Sequence, residues 1–316
     1  MTKQKQKLIA IICIVCAVLI VIGAVLGVIY YLNNRITFTI SDTLADGQGK
    51  KARVILLGGQ SNASGCSRDD CLQENVSEEK YAEYRDGYDN VYINYFASGN
   101  NQSQEFVKCS VMQGEAGGYF GPELGIAEEL NEMYPDETFF IIKYAWGGTD
   151  LYNKWLSPSS DGKTGDLYKA FTAFVETSMK YLISKNYDVE IEAMCWMQGE
   201  SDSFMVETAT NYGEHLSNFI KDMRKKFSRY AADDGIAFID AYIADNPMYW
   251  VYCEIINAKK DEVAALSEMN VLIDTISQGL TCSEEPSDAP DLAHYDSMSE
   301  IKLGNLFAEE AARFFN

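Results

Sequence analysis

The chain alternates short, mainly apolar runs with stripes of apolar residues at helical spacing. The runs occupy residues 54–57, 91–96, 138–145, 189–197 and 236–240, with a weaker one at 270–275. Such runs are typical of strands that are buried on both faces. Because helical stripes fall between them, the pattern predicts a parallel sheet covered on both faces by helices.

Helix positions follow from the apolar stripes and from start signals. The two clearest stripes are Leu216, Phe219, Ile220, Met223 and Phe227, and, near the C-terminus, Leu303, Leu306, Phe307, Ala311 and Phe314. Pro122 is predicted to be the first residue of an earlier helix. Ser297 and Glu300 form the capping-box pattern that starts the last helix. The predicted sheet therefore has helices available for both of its faces.

A long segment without charge precedes this pattern. Residues 8–32 are 25 consecutive positions without a charged side chain, enough to cross a hydrocarbon core of about 30 Å. A cleaved signal peptide has a shorter apolar region, about 7 to 15 residues, so an uncleaved anchor is favoured. Lysines precede the segment, which places the N-terminus in the cytoplasm. We therefore expect residues 1–34 to be a cytoplasmic tip and single-pass membrane anchor, and residues 35–316 an extracellular domain.

The formal net charge is −21. All charged residues before Arg35 are lysines, so the expected extracellular part is more acidic still. Such a surface repels nucleic acid and phosphate-rich polymers, and disfavours acidic substrates unless the site itself is basic. The charge therefore excludes a nucleic-acid partner and suits neutral glycans.

Cysteines and histidines give little sign of a metal site. Six cysteines follow the apolar segment, and a disulfide among Cys66, Cys71 and Cys109 fits their loop-like sequence. Cys195 lies in a predicted strand and is expected to be buried. The chain has only two histidines, and no Cys-x-x-Cys pair lies beside them. The sequence therefore predicts neither a metal ion nor another cofactor.

Ser61 follows the first predicted strand in the sequence Gly58-Gly-Gln-Ser-Asn62. Glycines let the backbone turn sharply there and leave the Ser61 amide free to face a substrate oxygen. The residue two positions after the serine is Ala63, so this is not the Gly-x-Ser-x-Gly elbow of the α/β-hydrolases. Taken alone, the pentapeptide fits a nucleophile and a plain Ser-Asn turn equally well.

His294 lies in Asp291-Leu-Ala-His294, in the loop before the last predicted helix. A serine nucleophile needs a base near neutral pH, and that base needs an anionic partner. Asp291, three residues earlier, can reach the ring. His215 lies beside an apolar stripe and is expected to have no catalytic role. The hypothesis is a triad of Ser61, His294 and Asp291, whose activity rises with pH through about 6.5, the pKa of free histidine.

Two further stretches can donate hydrogen bonds to a developing oxyanion. Gly147-Gly148-Thr149 follows the strand predicted at 138–145 and can present a backbone N–H. Gln198 follows the strand predicted at 189–197 and can donate its side-chain amide. With the Ser61 amide they would supply three donors, each contributing about 3 kcal/mol to transition-state stabilisation. Each stretch alone also fits an ordinary strand-ending turn or a polar loop.

Five blocks in order give a more specific indication. They are Gly59-Gln-Ser-Asn62, Gly121-Pro-Glu-Leu-Gly125, Gly147-Gly-Thr149, Trp196-Met-Gln-Gly-Glu-Ser-Asp202 and Asp291-Leu-Ala-His294. With these blocks the sequence resembles the SGNH hydrolase superfamily, and within it the sialate O-acetylesterase-like and acetylxylan esterase branch, carbohydrate esterase family six. The resemblance covers about residues 53–315.

The resemblance implies a flavodoxin-like, three-layer α/β/α sandwich with a central parallel sheet, and a two-step acyl transfer without a metal. It makes Ser61 the nucleophile, His294 the general base and then acid, and Asp291 the residue that orients His294. It also implies an oxyanion hole formed by the Ser61 and Gly148 amides and the Gln198 side chain. Glu200 and Asp202 would then organise the Gln198 loop.

Substrate choice is less well defined. The family often has histidine where Met197 stands and methionine where Ala63 stands. The residues predicted to bind substrate are Gln60, Asn62, Trp146 and Trp155. Aromatic residues near strand ends can stack on sugar faces, but they are as often part of the core.

The resulting function hypothesis is an extracellular carbohydrate O-acetylesterase whose partner is an acetylated glycan. One alternative is a non-catalytic surface module that binds carbohydrate. Such a module would be expected to have lost a triad residue or an oxyanion donor, and the sequence keeps all of them. The other alternative is an SGNH esterase for a different acyl ester.

Overall fold

A computed structural model describes residues 36–98 and 101–315. The predicted anchor at 8–32 and the predicted domain boundary after residue 34 lie outside the described residues. Within the described ranges, no helix has the length and apolar character that a membrane crossing requires. The chain from Phe38 onward forms one compact unit.

A central sheet of seven strands runs through the described part of the chain in the order β4-β3-β6-β1-β7-β8-β9. Its strands are β1 (Lys51–Gly59), β3 (Val91–Phe96), β4 (Val107–Lys108), β6 (Thr138–Ala145), β7 (Asp188–Met197), β8 (Ala237–Ala241) and β9 (Asn270–Ile273). All neighbours pair in parallel except β4, which runs antiparallel to β3 at the sheet edge. The six apolar runs therefore correspond to the six parallel strands, and the predicted α/β class is confirmed.

Shorter elements and helices connect these strands. A separate two-stranded sheet pairs β2 (Ser67–Arg68) with β5 (Tyr119–Phe120). The helices are α1 (Ser61–Ser64), α2 (Asp69–Asn75), α3 (Glu78–Asp86), α4 (Glu123–Met133), α5 (Asp166–Ser184), α6 (Val206–Phe227), α7 (Cys253–Ala264) and α8 (Ser297–Ala312). Single 3-10 turns lie at Asp202–Phe204 and Ser228–Tyr230.

The core explains why β1 lies at the centre of the sheet. Every residue of β1 after Lys51 is buried. Since successive side chains of a strand point to opposite faces, helices must cover both faces. On one side α4 packs against α8, and elsewhere α6 packs against α7. The predicted stripe at 216–227 is the buried face of α6.

The strand ends next to β1 lie at one level. Gly59, the last residue of β1, pairs with Ala145 at the end of β6 and with Met197 at the end of β7. The segments that follow these strands therefore leave the sheet side by side. This edge is where parallel α/β sheets form their sites.

Helices α4 and α8 approach each other more closely than side chains allow. A Cβ atom added at Gly125 would lie 2.1 Å from the Ile301 carbonyl oxygen, and one at Gly304 would lie 2.2 Å from that of Pro122. The two helix backbones are therefore in direct contact. Because α8 follows the loop that carries His294, this contact fixes where that loop returns to the sheet edge.

Two predicted helix starts differ from the structure. Pro122 is the residue before α4 rather than its first residue. At α8 the capping box does not form, and the cap position is Asp296. Instead, the Ser297 amide and hydroxyl donate to the Glu285 carboxylate at 2.6 and 2.8 Å. Glu300 is fully buried, and neither of its carboxyl oxygens has a hydrogen-bond partner among the described residues.

Candidate active site

Ser61 starts a single helical turn directly after β1. Gly59 has φ +139, and a Cβ there would lie 2.0 Å from the Met197 carbonyl oxygen. Only glycine fits this close approach between β1 and β7. The serine side chain is close to the surface of the site, since Ser61 is 8% exposed. Within the described residues the Ser61 hydroxyl makes no hydrogen bond, so its contact with His294 is not formed in this structure, where His294 is bonded through Nδ1 to Asp291. Such catalytic hydrogen bonds often tighten only when substrate binds.

Asp291 and His294 form the predicted pair. The His294 Nδ1 atom lies 2.7 Å from Asp291 Oδ2, and the Ala293 amide donates to Asp291 Oδ1 at 3.0 Å. With Nδ1 as the donor, Nε2 is left as the acceptor that a general base requires. Burial alone would raise the pKa of Asp291, but the hydrogen bond and charge of His294 lower it below its ordinary value. The carboxyl is therefore ionised at neutral pH.

The Asn62 side chain joins the nucleophile turn to the histidine loop. Its Nδ2 donates to Glu200 Oε1 at 2.8 Å, and its Oδ1 accepts the Tyr295 amide at 3.2 Å. Asn62 follows Ser61 in sequence, and Tyr295 follows His294. One carboxamide therefore spans the two halves of the predicted triad, which are more than 200 residues apart in the chain.

Glu200 lies beneath this link. It is 1% exposed, and its Oε2 has no hydrogen-bond partner among the described residues. Burial raises the pKa of Glu200, opposed by its own amide, the Asn62 hydrogen bond and the charges of Lys260 and His294. Glu200 and His294 are therefore within electrostatic range of each other. The predicted organising role of Glu200 fits this position.

The turn after β6 presents a free amide. The Trp146 amide donates to the Gly59 carbonyl at 3.1 Å, and the Gly147 amide donates to Ser98 Oγ. Gly148 is exposed, and nothing lies within 4 Å of the position of an added Cβ. In the described part of the chain, neither the Gly148 amide nor the Ser61 amide has a hydrogen-bond partner. Both are thus available as the predicted oxyanion donors.

Gln198 differs from this pattern. It is fully buried, and its Nε2 lies 2.6 Å from Asp202 Oδ2, 3.0 Å from the Thr149 carbonyl and 3.2 Å from Gln60 Oε1. Its Oε1 accepts the Tyr212 hydroxyl at 3.0 Å. An amide nitrogen has two hydrogens, and protein acceptors already surround this one. In this structure Gln198 therefore braces the loops and presents no free donor to an oxyanion.

Asp202 ties two of the site loops together. Its carboxyl accepts the Leu151 amide at 2.7 Å and the Tyr152 amide at 3.1 Å, besides Gln198. Burial raises the pKa of Asp202 to about 7, and these three hydrogen bonds oppose the shift. The carboxyl holds the loop after Gly148 against the loop after β7, as predicted.

The predicted substrate-binding residues separate into two groups. Trp155 is fully buried, and its Nε1 donates to Thr149 Oγ1 at 2.9 Å. That prediction is wrong, because Trp155 packs in the core where no sugar can reach it. Gln60 and Asn62 are each 2% exposed, and their amide oxygens accept hydrogen bonds from protein groups. Trp146 is half-buried and stacks on Phe96, and its role stays a prediction.

The bonding state of the cysteines differs from the prediction, whereas the burial of Cys195 agrees with it. The six described cysteines are free thiols, so the predicted disulfide among Cys66, Cys71 and Cys109 is wrong. Cys195 is buried in β7, as predicted. Across residues 36–98 and 101–315, no group of three or more histidine, cysteine or acidic side chains is placed to hold a metal ion.

Sequence reasoning missed Glu115, which lies in an irregular loop beside the Gly147 turn.

Comparisons with known proteins bear on this geometry. Residues 51–313 match the family model for carbohydrate esterases described as sialic acid-specific acetylesterases. The chain belongs to this family. It is therefore a serine esterase of the carbohydrate acetylesterase type, and the resemblance found from the five blocks is confirmed. No curated protein matches the chain in the corresponding search.

Solved structures share the fold of this esterase at low identity. A protein from Arabidopsis thaliana is 18% identical with a TM-score of 0.59, covering 84% of this chain and 99% of its own. NanS is 14% identical with a TM-score of 0.60, and the match covers 86% of this chain and 99% of NanS. A carbohydrate acetylesterase from Xanthomonas citri, XAC1771, is 15% identical with a TM-score of 0.55, and the match covers 82% of this chain and 55% of XAC1771. These likenesses show the α/β fold.

The Asn62 link generates a first prediction. Asn62→Ala should lower kcat by about 10- to 100-fold, because the His294 loop loses its fixed distance from the nucleophile turn. KM should change little, because the Asn62 side chain is buried and bonded to Glu200 and Tyr295, and so does not contact the substrate. Steady-state kinetics on 4-nitrophenyl acetate and a thermal unfolding curve provide the measurement. Asn90→Ala is the matched control, because the Asn90 side chain donates to the Tyr134 and Glu137 carbonyls at the opposite end of the sheet. A folded Asn62→Ala esterase with wild-type kcat would show that the link is not needed.

Proposed function

We propose that this protein is an extracellular carbohydrate O-acetylesterase that uses Ser61, His294 and Asp291 as a catalytic triad. The observation that carries the proposal is the Asn62 side chain, which joins the serine turn to the loop of the Asp291–His294 pair. Family membership supports the ester chemistry. NanS and XAC1771 share the fold, and XAC1771 is described as a carbohydrate acetylesterase.

In acylation, Ser61 Oγ attacks the acetyl carbonyl carbon while His294 Nε2 takes the hydroxyl proton. The tetrahedral intermediate collapses, the bond from the acetyl carbon to the sugar oxygen breaks, and His294 returns the proton to that oxygen. Water then attacks the acetyl-enzyme with the same base and releases acetate and free Ser61. Asp291 stabilises the imidazolium that forms in each step.

The developing oxyanion would be held by the Ser61 and Gly148 amides. Each such donor contributes about 3 kcal/mol to transition-state stabilisation when it is fixed in advance. Gln198 is proposed to act on the hole indirectly, since its Nε2 lies against Asp202, Thr149 and Gln60. A direct Gln198 donor would require the side chain to release one of these acceptors.

A non-catalytic carbohydrate module is disfavoured by the preorganised histidine. The 2.7 Å contact of His294 with Asp291 is the arrangement that a general base needs, and sugar binding alone would not require it. An esterase for another acyl group keeps the same triad, so substrate assays must separate it from the acetylesterase.

The triad generates the second prediction. Ser61→Ala and His294→Ala should each lower kcat by at least about 10³-fold, because nucleophile and base act as one unit. Acetate release from acetylated xylan, acetylated sialic acid and 4-nitrophenyl acetate by the full chain in detergent is the measurement. The chain offers a matched control in His215→Ala, which removes the other histidine and should retain activity. Equal rates for His294→Ala and wild type would contradict the mechanism.

The third prediction concerns pH. The log of kcat/KM should rise with pH and level off, because a protonated histidine cannot accept the Ser61 proton. Asp291 does not contribute to this limb, because its lowered pKa keeps it charged throughout. A pH profile between 4.5 and 9, at constant ionic strength, tests this. A flat profile down to pH 4.5 would argue against a histidine base.

The location is proposed from sequence. The charge-free run at 8–32 and the lysines before it support a single-pass anchor with the esterase outside the cell. The fourth prediction is that protease added to intact cells removes the esterase while a tag on the N-terminus stays protected. The protein should also stay in the membrane fraction after a high-salt wash. Full protection of the esterase domain would place it in the cytoplasm and overturn the proposal.

A further inference from the structure

Glu115 forms part of the wall of the site. Its amide donates to the Gly65 carbonyl at 2.9 Å, directly after the helical turn that starts at Ser61. Its Oε1 lies 2.2 Å from the position that a Cβ on Gly147 would occupy. The carboxylate therefore lies between the nucleophile turn and the turn that presents the Gly148 amide.

No positive charge offsets this carboxylate. Among the described residues, Glu115 forms no ion pair, and its Oε1 has no hydrogen-bond partner. Its neighbour Cys66 carries a neutral thiol that is hydrogen-bonded to the Glu115 carboxyl group. Burial raises the pKa of this thiol, and the charge and hydrogen bond of Glu115 and the charges of Glu300 and Asp291 raise it further. Glu115 and the triad acid therefore act on the same small region, and both contribute negative charge.

The cations beneath the site are already engaged. Lys143 Nζ lies 2.6 Å from Glu123 Oε2, and Lys260 Nζ lies 2.6 Å from Asp240 Oδ1. Both lysine side chains are 0% exposed. Elsewhere among the described residues, Arg68 pairs with Asp70 and Lys163 lines a separate pocket. The two buried lysines are therefore not available to a substrate carboxylate.

We propose that this esterase acts on uncharged acetylated sugars, and that Glu115 is a specificity residue that disfavours sugars carrying a carboxylate. The inference rests on the proposed acetylesterase function and names its substrate class. Like charges repel more strongly in a partly buried site than in water, because little solvent screens them there. Sialic acids carry a carboxylate, whereas the acetylated units of xylan do not. Membership of a family described by sialic acid thus does not set the substrate of this chain.

The test uses two substrates that differ only in charge. One is an O-acetylated sialic acid, and the other is the same sugar with its carboxyl group converted to a carboxamide. Acetate release by the full chain gives kcat/KM for each sugar. Each value is then divided by the kcat/KM of the same protein, wild type or variant, on 4-nitrophenyl acetate. Wild type should prefer the carboxamide by at least about tenfold, and the preference should narrow as salt rises from about 0.01 M to about 0.5 M.

Variants separate Glu115 from the overall charge of the protein. Glu115→Gln keeps the size and removes the charge, so the preference should fall below about threefold. Glu115→Asp keeps the charge and should keep most of the preference. Glu79→Gln removes an exposed charge on α3 and should leave the preference unchanged.

The outcomes distinguish this inference from the proposed function. Equal or better turnover of the free acid by wild type, or an unchanged preference in Glu115→Gln, would overturn the specificity role. If Glu115→Gln does not fold, the salt dependence of the wild-type preference decides: a preference that does not narrow with salt is steric and overturns the proposal. Absence of acetate release from every ester, including 4-nitrophenyl acetate, would instead refute the acetylesterase function.

Discussion

The site depends on one constraint, the common level at which three parallel strands end. Gly59 pairs with Ala145 and with Met197, so the segments after β1, β6 and β7 emerge beside each other. The first segment brings Ser61, the second the Gly148 amide and the third the Gln198 and Glu200 loop. A shift of one residue would turn every side chain of β1 to the opposite face of the sheet, so the packing of these side chains against the helices on each face holds the register.

Charged side chains buried beneath this edge cost free energy, and the two lysines there are each paired with a carboxylate. Burying an ion is expensive, and its attraction to a partner offsets that cost only when the geometry is good. The pairs Lys143–Glu123 and Lys260–Asp240 meet this condition at 2.6 Å each. Glu200 and Glu300 have no such partner, and burial raises the pKa of both carboxyl groups. The layer under the site therefore combines two neutralised pairs with two carboxyl groups whose pKa values burial raises.

Much of the fold was readable from the sequence, for a simple physical reason. Buried parallel strands must be apolar on both faces, and the six runs that satisfy this rule are the six parallel strands. Strand β4 has only two residues, too few to form an apolar run, so the sequence did not predict it. Its pairing with β3 depends on where the intervening loop brings the chain back to the sheet edge. Asp291 and His294 were predicted as a pair because a histidine base needs an anionic partner, and the structure places them in contact.

The remaining features depend on contacts between distant parts of the chain. Trp155 lies near a strand end, a position equally typical of a core residue and of a sugar platform, and only its burial distinguishes the two. The capping box at Ser297 and Glu300 failed because Glu285, from the preceding loop, occupies the Ser297 amide. Glu115 lies in an irregular loop without periodicity, so no sequence pattern marks it.

The backbone contact between Gly125 and the start of α8 has a wider consequence. Helices in contact through their main chains cannot slide or tilt without breaking that contact, so α8 serves as a fixed mount for the His294 loop. The position of His294 is then set by α8 as well as by the Asn62 side chain. The loop at 112–118, which carries Glu115, lies outside this contact, so substitutions there can change the surroundings of the site while α8 keeps the His294 loop in place.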